Sequence, residues 1–353
     1  MIVGVLSSCS SKKDTLLSAF PKAFEGQFEI LSSELIGYNY VNDMFVSKNH
    51  VIVTCFDLES QTFIHVFDKD GFNPLNYLRE GRGDGEMIYG GQRYSLIDDE
   101  LTVLDPLHNR QIVFVIDSLL LKGIRTGIID YVDVPKWNVV MYPLGGHSYV
   151  CLNERPPLSR DTTTVHRLEV YRDGICVSHD DWVPIEDKYI RFRSSPHTKI
   201  DINHAKNMMA LASPYGSELE TLHVENGMLN RSGVCVYERS DFNGENGIAY
   251  NENTIVGYND LCSTEDYVIA VFDGRKMFEA ERMGGAHFFR EIGIFTWDAK
   301  PVARISVDAR MESICYDNEE RSFYAVITDD EGRAVLARLR FDLNTLKRAQ
   351  HKV

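Results

Sequence analysis

The chain has 353 residues, 44% hydrophobic and 25% charged, proportions that exclude a disordered chain and fit a folded globular one. Its 37 Lys and Arg stand against 52 Asp and Glu, a net charge of −15. That balance argues against nucleic acid and anionic lipid surfaces, which need a cationic footprint, and suits neutral, cationic or metal-bridged ligands.

From the N-terminus, residues 2–9 form a short apolar run ending Leu6-Ser7-Ser8-Cys9. This ending resembles a bacterial lipobox, in which the cysteine becomes a new, acylated terminus. The run is far too short to span a membrane. The polar text Ser10-Ser11-Lys12-Lys13-Asp14 suits a tether. Residues 1–27 are therefore expected to be a signal remnant and tether, with lipidation at Cys9. An acyl chain would then hold the protein to the bacterial cell envelope, facing the periplasm or the cell surface. Cys55, Cys151, Cys176, Cys235, Cys262 and Cys315 lie in apolar strand-like text, and the chain has no CxxC pair. They read as small core residues, with no zinc framework.

Residues 28–342 read as one all-β domain. A phrase recurs along it: an apolar strand, a polar turn, a second strand. It appears as Val66-Phe67-Asp68-Lys69-Asp70-Gly71, Val170-Tyr171-Arg172-Asp173-Gly174 and His223-Val224-Glu225-Asn226-Gly227. Related turns follow Phe114, Phe295 and Leu339. Short strands recurring at roughly 45–55 residues predict a β-propeller. Six four-stranded antiparallel blades are placed at about 41–79, 94–129, 137–180, 198–238, 247–307 and 310–342. The N-terminal strand, at residues 29–31 or 35–36, should join the C-terminal blade and close the ring, removing its free edges. Residues 343–353 are left as a C-terminal tail. The best helical text, 276–283, sits in a blade-five insertion at 273–290 that could cover the funnel mouth.

The densest glycine cluster is Gly81-Arg82-Gly83-Asp84-Gly85-Glu86. Alternate glycines allow a sharp turn that projects Arg82, Asp84 and Glu86 on fixed bearings. The segment lacks the Walker spacing and any βαβ context, so it is neither a phosphate loop nor a dinucleotide fingerprint. With residues 66–89 around it, this phrase resembles the Bacteroidota-type, TolB-like six-bladed β-propeller lipoproteins, whose first blade passes to the second through Gly-x-Gly-Pro-Gly-Glu. Gly81, Gly83, Gly85 and Glu86 match, and Asp84 stands where proline is usual. Leu101–Asp105, Arg110–Phe114 and Tyr267–Gly274 extend the likeness. The resemblance implies a lipid-anchored envelope propeller and assigns no chemistry.

No Gly-x-Ser-x-Gly elbow or His-Glu-x-x-His pair is present. Recognition is the expected task, with Arg93, Tyr94, Arg155, Arg191, Arg193, Tyr258 and Asp260 joining Arg82, Asp84 and Glu86 as candidate ligand-binding residues. Aromatic faces beside planar hydrogen-bonding groups suit sugars and peptides. The expected partner is an envelope protein, a peptide or a glycan. No catalytic residue and no cofactor is assigned. Calcium is the cation that Asp43, Asp98, Asn138, Asp201 and Asn246, near the first strands of successive blades, would accept at a channel. The alternative function is a metal-dependent hydrolase or lyase with its site at that central channel.

Overall fold

A computed structural model describes residues 15–32, 38–70, 75–83, 86–87, 93–105, 110–116, 128–131, 139–153, 166–181, 198–237, 251–283 and 288–350. Six sheets are arranged as the blades of a propeller. Their inner strands are Tyr38–Val46, Arg93–Ile97, Val139–Gly145, Lys199–Asn203, Tyr258–Ser263 and Arg310–Asp317. Within each blade the first three strands pair antiparallel in sequence order, as does the fourth in blades one to five, so hairpin connections alternate between the two ends of the ring.

The recurring phrase marks one structural position. In blades one to five it lies between the third strand and the fourth. Asp173-Gly174 and Asn226-Gly227 both place two successive residues at positive φ, 49° and 75°, then 52° and 81°. That is the primed geometry that matches strand twist in a tight hairpin, and it favours Asp, Asn and Gly. Blade six departs from the pattern. Its third strand, Ala334–Arg340, runs on into a helix at Asn344–Gln350, and its fourth strand is Glu29–Ile30 from the other end of the chain. Glu29 pairs with Arg338 and Ile30 with Ala337. The ring is closed as expected.

The lead holds more structure than a tether. Thr15 caps a short helix, Leu16–Ala19. Leu16 is fully buried, and Phe20 packs on Phe272 and Phe295 at ring-centroid distances of 5.6 and 5.2 Å. Ala23–Gly26 then adds a fifth strand to blade five, parallel to Pro301–Val307. The tail expected from residue 343 is likewise docked: Leu343 and Leu346 are buried against blades five and six. Apolar spacing in both segments is too short to register as strand or helix, although Leu16, Phe20, Leu343 and Leu346 are buried.

The described core divides into six clusters, and each lies at a junction between neighbouring blades. This follows from strand alternation. In a radial sheet one face of each strand meets the preceding blade and the other face meets the next, so middle strands are apolar on both faces. Tyr267–Phe272 is buried at all positions. The outer strand Met228–Cys235 alternates exposed and partly buried residues, because only one face has a neighbour.

The blade-five insertion does contain a helix, Met277–Met283. Its start is tied to residues before the inner strand, with Met277 N donating to Thr254 O at 2.8 Å and Phe278 N to Glu252 O at 3.1 Å. It therefore sits at the end of the ring where inner strands begin.

Candidate functional site

The inner strands enclose a cavity of about 670 Å³, a size typical of small-molecule sites. Its wall runs from mid-strand to the turns joining first and second strands, reaching Asp98, Ala205 and Asn318. It thus faces the end of the ring opposite the blade-five helix, and no described residue of 273–290 lines it. The lid expected of that insertion does not cover this cavity.

Among the described residues three carboxylates line the wall: Asp43 from blade one, Asp98 from the blade-two turn and Asp201 from blade four. Among the described residues no lysine or arginine does. Ser95, Asn203 and Ser263 add small polar groups, and Phe45, Tyr94, Tyr142 and Tyr316 add aromatic rings. Two polar atoms are left over. Asp201 Oδ2 and Tyr94 Oη are shut off from solvent without a hydrogen-bond partner, and Tyr94 is only 3% exposed. Buried polar atoms of this kind are costly unless something else completes them.

The electrostatics follow from burial. Asp43 is pushed up to about 7, first by loss of solvation, then by the Asp260 charge, with Arg93 and Lys199 opposing. Asp201 is also pushed up to about 7, again chiefly by desolvation, against a hydrogen bond from Ser263. Proximity of like charges and a poor solvent both disfavour ionisation. His204 moves the other way. Desolvation lowers it to about 4, although Asp98 and a bond to the Leu144 backbone pull upward. Its imidazole is neutral at pH 7. With the other nitrogen engaged by Leu144, Nε2 accepts from the Ser95 hydroxyl at 2.8 Å. This contact spans the cavity between blades two and four.

Of the residues singled out from sequence, Tyr94 lines the cavity. Arg93 lies beside it, its guanidinium 5.7 Å from the Tyr142 ring centroid and electrostatically coupled to Asp43. Asp43, Asp98 and Asp201, read as channel oxygens, all reach the wall. Tyr258 and Asp260 do not. Tyr258 is fully buried between blades four and five. Asp260 faces blade six, where Oδ2 accepts from Ser313 Oγ and Ile314 N.

Arg82 is exposed on the glycine loop, away from the cavity. Glu86 turns back into that loop, its Oε2 accepting from Gly83 N at 2.8 Å. Arg110, paired with buried Asp105 at 3.0 Å, donates to Glu86 O, so the loop is pinned to blade two. Gly81 and Gly83 are not at positive φ. Their role is clearance: a Cβ on Gly81 would stand 2.0 Å from Glu86 Oε2. Cys9, Asp84, Asn138, Arg155, Arg191, Arg193 and Asn246 lie outside the described residues.

Ser95, Tyr142, Asn203 and His204 went unrecognised in the sequence. Each sits in or directly after an inner strand, where a polar or aromatic residue interrupts apolar text. That interruption is the one signal that could have marked them.

A closed ring of six four-stranded blades around a polar, acid-lined cavity defines a six-bladed β-propeller. Residues 19–319 match the sequence pattern of the TolB-like 6-blade propeller-like proteins, and the chain belongs to that family. A solved structure from Bacteroides fragilis, of a protein considered to be exported, is similar at 11% identity and a TM-score of 0.55. The match covers 90% of this chain and 95% of that one. A DUF4221-family protein from Bacteroides vulgatus is similar at 9% identity and a TM-score of 0.52, covering 89% and 96%. A calcium-binding protein, regucalcin, from Agrobacterium tumefaciens reaches 9% identity and 0.49, covering 91% and 97%. Likeness at these identities speaks to the fold alone. Comparison with curated protein sequences gave no match.

Proposed function

We propose that this chain is an exported, non-catalytic binding propeller that captures a small ligand bearing a positively charged nitrogen in its central cavity. One observation carries the reading. The cavity wall holds three carboxylates, and it leaves Asp201 Oδ2 and the Tyr94 hydroxyl buried without partners. An ammonium group supplies the donors that Asp201 lacks and the charge that stabilises ionised Asp43 and Asp201. The faces of Tyr94 and Tyr142 suit a cation, and the net charge of −15 draws one in. A peptide amine is the ligand of this class that fits the expected recognition task, and a glycan or an envelope protein remains the wider one. Export follows the Bacteroides fragilis neighbour, and Cys9 would carry the lipid anchor.

The alternative, a metal-dependent hydrolase or lyase, draws on the same carboxylates. Calorimetric titration of the full chain with a diamine, a lysine-containing dipeptide, a neutral disaccharide and Ca2+ separates the two. Amine binding that weakens at least tenfold in Asp201→Asn supports the binding reading. Absence of amine binding, or equal binding by the variant, overturns it. Ca2+ binding lost in Asp43→Asn and Asp201→Asn turns the case toward the hydrolase.

A further inference from the structure

Blade three carries a second constellation, on its outer rim and unrelated to the cavity. His166 stands just before the third strand, Leu168–Arg172, and His179 lies on the outer strand, Ile175–Asp180. Asp181 follows directly. The register, Leu168 against Asp180 and Glu169 against His179, brings the three to one end of the hairpin. One donor atom from each lies within 4.8 Å of the other two. The imidazoles stack at 3.5 Å between centroids with 16° between planes. His166 Nδ1 is 2.8 Å from Asp181 Oδ2. The other carboxylate oxygen, Oδ1, accepts from Arg167 N at 3.1 Å, which fixes the Asp181 side chain.

Among the described residues this is the one group of three metal-capable side chains close enough to share an ion. The surrounding charges are already matched: Arg231 pairs with Asp180 and Glu220, and Arg167 pairs with Glu220. Neither arginine is left to repel a cation from the rim.

We infer that His166, His179 and Asp181 form a binding site for a single divalent transition-metal ion of the zinc class. Two imidazole nitrogens and a carboxylate oxygen are a borderline donor set. They suit Zn2+, Cu2+ and Ni2+, whereas Ca2+ takes oxygen donors alone. Nearly parallel rings present their lone pairs side by side, so closing on an ion requires each ring to tilt. His179 and Asp181 are exposed and His166 is half-buried, which leaves the rings room to tilt. Three protein ligands leave an open coordination position facing solvent, as in sites that exchange a bound water. Protons compete for the imidazole nitrogens, so affinity falls in acid.

The test is titration of chelator-treated, untagged full-length protein with Zn2+ against a chromophoric competitor, and with Co2+ for its visible d–d bands. The inference expects one equivalent bound, with intense four- or five-coordinate Co2+ bands. His179→Ala and Asp181→Asn should each weaken binding by about tenfold or more, and His166→Ala/His179→Ala should abolish it. Asp201→Asn, in the cavity, should leave it unchanged. The His166, His179 and Asp181 variants should melt close to the wild-type temperature without metal, since the site is on the surface. No stoichiometric binding, or binding that survives the double substitution, overturns the inference.

Discussion

The Asp260 carboxylate accepts two hydrogen bonds through one oxygen, from Ser313 Oγ at 2.6 Å and from Ile314 N at 2.8 Å. It thereby ties the inner strand of blade five to that of blade six across a buried junction. Asp260→Ala strands a hydroxyl and an amide together, at a cost of about 2–4 kcal/mol. Asp260→Asn keeps an accepting oxygen and costs less. Urea denaturation of the two variants checks both the loss and its order.

Asp43 and Asp201 impose the opposite kind of strain. Each is pushed to about 7 in the folded protein from the ordinary 3.8 of an aspartate. The folded state thus holds protons that the unfolded chain has released. Their contribution to stability is full below about pH 4 and is lost as the pH rises through 7. Asp43→Asn and Asp201→Asn are expected to stabilise the ligand-free protein by about 1–3 kcal/mol each at pH 8, and hardly at all at pH 4. Thermal melting across that window reads the effect. An amine ligand reverses the balance, because it binds the ionised carboxylates. Its affinity should rise between pH 6 and pH 8, by up to about tenfold per unit where one proton is displaced.

The Ser95–His204 contact has its own pH signature. His204 is lowered to about 4 from 6.5, so the unfolded chain takes up a proton that the folded one refuses. Stability tied to His204 is full above about pH 6.5 and lost as the pH falls through 4. Ser95→Ala leaves Nε2 without its donor and should cost about 1–2 kcal/mol near neutrality. His204→Gln should flatten the acid limb of the stability profile, which chemical denaturation at pH 4, 5.5 and 7 resolves.

The glycine loop yields a double-mutant cycle. Gly81→Ala drives a methyl group into Glu86 Oε2, with a Cβ distance of 2.0 Å, and displaces the carboxylate from Gly83 N. A loss of about 1–3 kcal/mol is expected. Glu86→Ala loses the hydrogen bond alone, about 1 kcal/mol. In the double variant the carboxylate clash is gone and only the tight 3.1 Å approach to the residue-86 Cβ remains, so the two losses should fall short of additivity by about 0.5 kcal/mol or more, the range of contacting pairs. Additive losses would remove the clearance argument.

Six blades, their boundaries and the closing strand were legible because the same polar turn follows the third strand of blade after blade, as Asp-Gly or Asn-Gly in blades one, three and four and as Asp-Ser or Asp-Ala in blades two and five. Repetition amplifies a weak local signal. The lead and tail were not legible, since a four-residue helix and a four-residue strand present too few periods. The cavity was half legible. Asp43, Asp98 and Asp201 could be placed near first strands by counting. Which side of a strand meets the channel, a neighbouring blade or a turn depends on ring geometry, and no spacing rule reports it. Asp260 illustrates this: three residues into its inner strand, it bonds blade six, while Asp201, three into its own strand, faces the cavity.

The closing strands also set an order in time. Ala23–Gly26 and Glu29–Ile30 find their partners at 304–307 and 337–338, which leave the ribosome last. An early-made segment must therefore wait, unpaired, through nearly the whole of synthesis. Blades one to four can form hairpins as they emerge, but the circle is locked in one late step. A premature stop anywhere before blade six yields an open arc that bares the apolar faces of its two end blades, the form of this chain most exposed to aggregation and to proteases.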